Sequence, residues 1–174
     1  MENVGYYNGK IGLIQDMMVP MNDRAGYFGD GVYDAAYALN HIPFALEEHI
    51  DRFYRSAALL EIPFDMPKAE LNALLRELVK KVDSRETMLY WQLTRGTGMR
   101  LHAFTGASQG PNLLITVRHN PMWDISRPMK LITREDTRFF HCNIKTLNLL
   151  PNVMAAEAAS EQGFDEAVFH RGER

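Results

Sequence analysis

The chain has 174 residues, of which 46% are hydrophobic, and sets 19 Lys and Arg against 22 Asp and Glu for a formal net charge of -3. That balance suits a folded globular chain with a real core, arranged as one domain or two small lobes. Charges of both signs are interspersed without a basic stripe, which argues against nucleic acid, and no apolar run approaches the length needed to span a membrane.

Residues 5–7 and 10–14 flank Asn8-Gly9, a pair that tolerates positive φ, and predict an opening β-hairpin. Residues 32–39 and 42–46 predict a second pair of strands around Asn40-His41. From Glu47 the period changes. Ile50, Phe53, Tyr54, Ala57 and Leu60 recur on one helical face, with Asp51 and Arg55 four apart on the wetter side. Pro67 suits the first turn of a second helix, marked by Leu71, Leu74, Leu75, Leu78, Val79 and Val82 and ending near Asp83. Strand-like runs follow at 87–94, 112–117 and 129–133. Between the last two, the polar stretch 118–124, broken by Pro121, reads as a linker and divides the chain into residues 1–120 and 121–174. An Ala- and Glu-rich helix is expected over 151–162 with Gly163 as its left-handed terminator, and a strand begins at Ala167. The expected class is α+β (α/β), with no internal repeat or low-complexity segment.

Cys142 is the only cysteine, so no intrachain disulfide forms and no cysteine pair has metal-ligand spacing. The six histidines are scattered and no His-Glu-x-x-His pattern occurs, so no metal is expected. Met1-Glu2-Asn3-Val4-Gly5 lacks the pattern of a secretory signal, and a reducing cytoplasm is the expected location.

Four local features carry chemistry. Lys145 lies in an apolar stretch, Ile144-Lys145-Thr146-Leu147-Asn148-Leu149-Leu150, where an ammonium loses hydration and the amine becomes a candidate nucleophile toward an aldehyde. The same lysine could equally reach solvent or pair with a carboxylate. His49 and Arg52, three apart, share a helical side and could meet an anion, although Glu48 is a competing partner for Arg52. Arg100 and His102 lie in the glycine-bearing loop after the strand at 87–94, where a guanidinium and an imidazole together suit a carboxylate, or simply face water. Residues 24–33 are glycine-rich ahead of a strand and read as a turn with packed aromatics, without the spacing of a Walker loop or dinucleotide fingerprint.

Taken in order, Phe28-Gly29-Asp30-Gly31-Val32-Tyr33, then Glu48-His49-Ile50-Asp51-Arg52, then Thr94-Arg95-Gly96 with Arg100 and His102, then the segment around Lys145, resemble class IV (fold type IV) aminotransferases. Within that family the chain is most similar to D-amino-acid aminotransferases, and the likeness runs over essentially its whole length. It implies a small N-terminal α/β lobe followed by the first part of a larger, cofactor-binding lobe. It also implies pyridoxal 5'-phosphate (PLP) held by Lys145 as a Schiff base and by Arg52 at its phosphate. Tyr33, Arg100 and His102 would bind the substrate carboxylate, the last two reaching across from a partner subunit of a homodimer, with His49 in support. The implied reaction moves an amino group between a D-amino acid and a 2-oxo acid. Branched-chain L-aminotransferase and aminodeoxychorismate lyase share the fold and remain open alternatives, as does a non-catalytic fragment that serves as a binding module. Relatives continue past the position of Arg174, with a glutamate that binds the pyridine nitrogen. The resemblance therefore implies an incomplete second lobe and weak PLP binding by these 174 residues alone.

Overall fold

The computed structural model describes residues 1–107 and 109–173. These form two compact units, Met1–Met122 with Ile144–Leu147, and Trp123–Asn143 with Asn148–Arg174. The linker's Pro121 and Met122 thus stay with the first unit, and four residues around Lys145 leave the second stretch of chain to join it.

The first unit is built on a six-stranded sheet in the order β2-β1-β6-β5-β3-β4, from strands β1 (Asn3–Tyr7), β2 (Lys10–Gly12), β3 (Gly31–Leu39), β4 (Ile42–Pro43), β5 (Glu86–Thr94) and β6 (Asn112–His119). Every neighbouring pair is antiparallel. Both hairpin turns use left-handed backbone, at Asn8 (φ 45) and Gly9 (φ 90) and again at Asn40 (φ 50) and His41 (φ 64), as two-residue turns between twisted strands require. Alternation along β3 and β5 sends Val32, Ala36, Leu89, Trp91 and Leu93 into the core. Helices α2 (Leu46–Leu59) and α3 (Lys68–Val79) supply the other half, with Ile50, Phe53, Leu71, Leu75 and Leu78 buried. Phe53 meets Trp91 edge-on at 6.2 Å between ring centres. Each such large side chain contributes about 1.5–3 kcal/mol on burial, which fixes α2 against the sheet.

Three elements depart from expectation. The strand expected over 42–46 stops at Pro43: Phe44 N still donates to Tyr37 O at 2.9 Å, but Ala45, at φ 47, leaves the extended backbone and turns the chain into α2. Helix α3 ends at Val79, although Val82 beyond it is still buried. Residues expected to form only a turn make a short helix, α1 (Arg24–Phe28), because the Asp23 carboxylate accepts from Ala25 N at 2.8 Å and Gly29, at φ 62, closes it.

In the second unit β7 (Leu131–Glu135) and β8 (Glu166–His170) pair in parallel, with α4 (Leu150–Glu161) between them in sequence. Ala155 and Ala159 are the buried residues of α4, and Gly163 at φ 72 follows its end. Among the described residues no helix is long and apolar enough to cross a membrane.

Candidate functional site

Opposite β5, the Gly31 end of β3 is covered by residues 144–147. Tyr33 N donates to Lys145 O at 3.0 Å, Leu147 N donates to Gly31 O at 3.1 Å, and Val32 forms an antiparallel bridge with Thr146. This register sets Lys145 directly across from Tyr33, so both side chains emerge on one face. The Lys145 ammonium lies 4.1 Å from the centre of the Tyr33 ring, inside cation–π range. Gly31 permits this approach: a Cβ there would come within 2.6 Å of Leu93 O and 2.7 Å of Leu147 Cδ1.

Lys145 N also donates to Ser56 Oγ at 3.3 Å, and Ser56 is buried on α2. Arg52 precedes Ser56 by one helical turn, so the lysine segment is docked on the side of α2 that carries the guanidinium. The lysine is half-buried, and among the described residues its ammonium joins no carboxylate. Ion pairing, the ordinary role for such a lysine, is therefore not its role here.

Arg52 does not take Glu48 as its partner. Its Nε and Nη2 donate to the two oxygens of Asp34 at 2.7 and 2.6 Å, and Asp34 is fully buried. These hydrogen bonds raise the guanidinium above its ordinary pKa and outweigh the lowering from burial. His49 Nδ1 stands 2.9 Å from Asp34 Oδ1 and 3.1 Å from Arg52 Nη2, with its ring edge-on to Trp91. His49 and Arg52 do meet an anion together, and that anion is the protein's own Asp34. Among the described residues, Arg52 Nη1 has no protein acceptor, so one edge of the fork stays available to an external oxyanion.

Arg100 and His102 are brought together, but away from these groups. Both are exposed, and both rest on the Phe28 ring, at 5.6 Å for the guanidinium carbon and 5.2 Å between the His102 and Phe28 ring centres. Among the described residues, no hydrogen bond, ion pair or ring contact joins either of them to Tyr33 or Lys145. Tyr33 instead stacks on Tyr90 at 5.5 Å. Sequence reasoning missed Asp34 and Ser56. Asp34 had a readable signal, a charge at an inward position of a strand between Val32 and Ala36, which needs a buried partner. Ser56 had none, because a small residue on an apolar helix face looks like packing.

Comparison with known proteins bears on this arrangement. The family model described as Amino-transferase class IV matches residues 31–174. A D-alanine aminotransferase of Bacillus licheniformis is 38% identical over 167 residues, covering 95% of this chain and 59% of that protein. The chain thus spans only 57–60% of the length of these curated relatives. Among solved structures, a branched-chain aminotransferase from the thermophilic archaeon Thermoproteus uzoniensis with norvaline superposes with a TM-score of 0.80 at 17% identity, covering 98% of this chain and 60% of that one. An aminotransferase from Brucella abortus bound to PLP gives 0.81 at 19% identity, covering 97% and 62%. At those identities the two structures establish the fold, which is fold type IV, while the family match takes in every residue from Gly31 through the lysine segment. The edge of β3 that seats Lys145 therefore lies in a chain that belongs to the class IV aminotransferases.

Proposed function

We propose that this chain carries the lysine and the phosphate-binding arginine of a PLP-dependent transaminase that moves an amino group between a D-amino acid and a 2-oxo acid. The observation that carries the reading is the placement of Lys145: its amine is half-buried over the Tyr33 ring, has no carboxylate partner, and hangs from a segment docked on the helix of Arg52. Class IV aminotransferases use PLP, and the residues present fit it. A phosphate needs a guanidinium edge free of protein acceptors, which Arg52 has, and an aldehyde needs an amine not locked in an ion pair, which Lys145 provides.

When bound, the cofactor supplies an aldehyde carbon to receive the amino group and a ring that spreads the electrons released at the substrate α-carbon. The protein's part is placement and proton transfer. Arg52, held in orientation by Asp34, binds the phosphate with its remaining N–H groups. Lys145 Nζ takes the α-proton and returns it on the cofactor side, one amine acting as base and then as acid. The Tyr33 face steadies that nitrogen while it is protonated. Arg100 and His102, exposed and paired on Phe28, receive the carboxylate of a substrate bound by the partner subunit of a homodimer, with Tyr33 completing the receptor from its own chain. The D-alanine aminotransferase relative, at 38% identity, supports the D configuration over the branched-chain and lyase alternatives. The exposed thiol of Cys142 and the single-cysteine composition suit a reducing cytoplasm.

Borohydride reduction in the presence of PLP, followed by peptide mapping, tests the lysine. A pyridoxyl group on Lys145 is expected, and an adduct elsewhere or none overturns the assignment. Assays of the whole protein with both enantiomers of alanine and glutamate against pyruvate and 2-oxoglutarate test the substrate. Turnover of the D-forms is expected, whereas preference for L-amino acids or pyruvate release from aminodeoxychorismate overturns the D reading.

A further inference from the structure

Asp30 is a carboxylate placed between two buried arginines. Its Oδ2 accepts from Arg24 Nε at 2.7 Å and from Arg95 Nε at 3.0 Å, while Arg24 and Arg95 are only 2% and 7% exposed. Neither guanidinium is used up by that contact alone. Arg24 Nη1 donates to Leu101 O at 2.7 Å and Nη2 to His102 O at 3.2 Å, the two carbonyls that follow Arg100 in the chain. Arg95 Nη1 and Nη2 donate to Glu61 O and Leu60 O, at 2.8 and 2.7 Å, where α2 ends. The flat face of Arg95 covers the Phe104 ring at 3.7 Å. The loop itself is closed by Met99 N donating to Gly106 O at 3.0 Å, and a Cβ on Gly98 would lie 1.8 Å from that same carbonyl oxygen.

We propose that Asp30, Arg24 and Arg95 form a clamp that fixes residues 99–107 against the end of α2 and so holds Arg100 and His102 as a ready-made receptor for a substrate carboxylate. The inference rests on the reading of Arg100 and His102 as carboxylate-binding groups. Two guanidiniums buried around one carboxylate are costly to desolvate, and an apolar cluster of the same volume would fill the space at less cost. What the apolar cluster lacks is direction. Forked N–H groups fix the Leu101 and His102 carbonyls in place, and with them the direction in which the Arg100 and His102 side chains leave the backbone. Because α2 also carries Arg52, one carboxylate sets the receptor loop relative to the phosphate-binding helix. Arg24, Asp30 and Arg95 are positioning residues and touch no substrate. Holding the receptor rigid before binding removes ordering entropy from the affinity for the carboxylate.

The test is Arg24→Lys in the whole protein, which keeps a cation beside Asp30 but lacks the fork that reaches both carbonyls. Two readouts are made. Hydrogen exchange at the amides of Met99, Leu101 and Gly106 is expected to quicken by about ten-fold, with the amides of β5 and β6 unchanged. The KM for the amino acid is expected to rise about ten-fold while kcat stays within about three-fold. Unchanged exchange in the loop overturns the clamp, and so does quickening spread equally through β5 and β6. A loosened loop with an unaltered KM overturns its role in carboxylate binding. If the unsubstituted protein turns over no amino acid of either hand, the functional reading fails by itself, and the exchange measurement still decides whether the clamp exists.

Discussion

Asp34 lies wholly inside the first unit and meets Arg52 through both of its oxygens, whereas the Arg52 side chain remains 41% exposed. The pair is thus lopsided, one partner buried and the other half in water, and its two halves should differ in what their loss costs. Arg52→Ala strips a buried carboxylate of its guanidinium and leaves it only His49 and the Ala35 N–H, which costs about 3–5 kcal/mol. Asp34→Ala frees a guanidinium that water can rehydrate, which costs about 1–2 kcal/mol. Urea denaturation of the two variants checks the ranking, and the reverse order would show that Asp34 is not carried by Arg52. If Arg52 holds the phosphate as proposed, both variants should weaken PLP binding, the first by removing that guanidinium and the second by letting it swing.

Ser56 holds the backbone from which Lys145 hangs. Ser56→Ala trims only the hydroxyl and so removes the acceptor of the Lys145 N–H, leaving that group unpaired beside a buried helix face. The expected loss of stability is about 1–2 kcal/mol. The rate of borohydride-trapped adduct formation should fall by at least about three-fold, because the amine no longer starts from a fixed position. Unaltered trapping would mean that the bridge to β3 alone seats Lys145.

Burial of tyrosines gives an alkaline signature. The Tyr90 phenol is pushed up to about 12 by burial and by Tyr33 beside it, and Tyr54 is pushed to about 12 by burial and by Glu70. A phenol whose folded pKa exceeds its unfolded value of 10.0 is held protonated by the fold. Its contribution to stability is whole below pH 10 and is lost as the pH rises toward 12. Tyrosinate absorbance should therefore show a late step near pH 12 carried by these two of the seven tyrosines, roughly halved in Tyr90→Phe and in Tyr54→Phe and lost in the double variant. Stability measured across the same range should decline in step.

Much of this molecule could be read from the chain. Strands β3, β5 and β6 and helices α2 and α3 follow from side-chain period, since a sheet with one face packed under helices writes an alternation that a linear scan detects, whereas α4 follows from its Ala- and Glu-rich composition. Residue type and chain position bring out Lys145, Arg52, Arg100 and His102 as candidates, and the resemblance to class IV aminotransferases adds Tyr33. What could not be read was partnership. Arg52 chose Asp34, 18 residues away on a strand, over Glu48 on its own helix, because a buried carboxylate must be paired and an exposed one need not be. Arg24 and Arg95 read as members of a polar turn and loop, yet both are buried around Asp30, and Arg95 lies 65 residues from it, a convergence of two segments that no local window contains. The short helix α1 is hidden for a local reason, since its glycine content reads as turn until the Asp23 cap is seen.

The second unit has its own acid sensitivity, carried by aspartates at both ends of the parallel β7–β8 pair. Asp165 accepts from Lys130 N at 2.8 Å and from Arg127 just before β7, and Asp136 just after it is bound by Arg138 at 2.8 Å and Arg171 at 3.0 Å. Hydrogen bonds from Lys130 and Arg127 lower the Asp165 carboxyl below its ordinary range, and those from Arg138 hold the Asp136 carboxyl far below it. Carboxylates depressed in the folded state contribute stability that is complete above the ordinary value of 3.8 and disappears as the pH falls through their folded values. Amide resonances of residues 131–135 and 166–170 should therefore lose protection as the pH drops below about 4, while those of β5 and β6, anchored by apolar burial, persist. Asp165→Asn should move that loss to neutral pH at the Lys130 end of the pair, where the Lys130 N–H is left with a weaker, uncharged acceptor. If β5 and β6 open first on acidification, the aspartate pairs are not what closes the β7–β8 ladder.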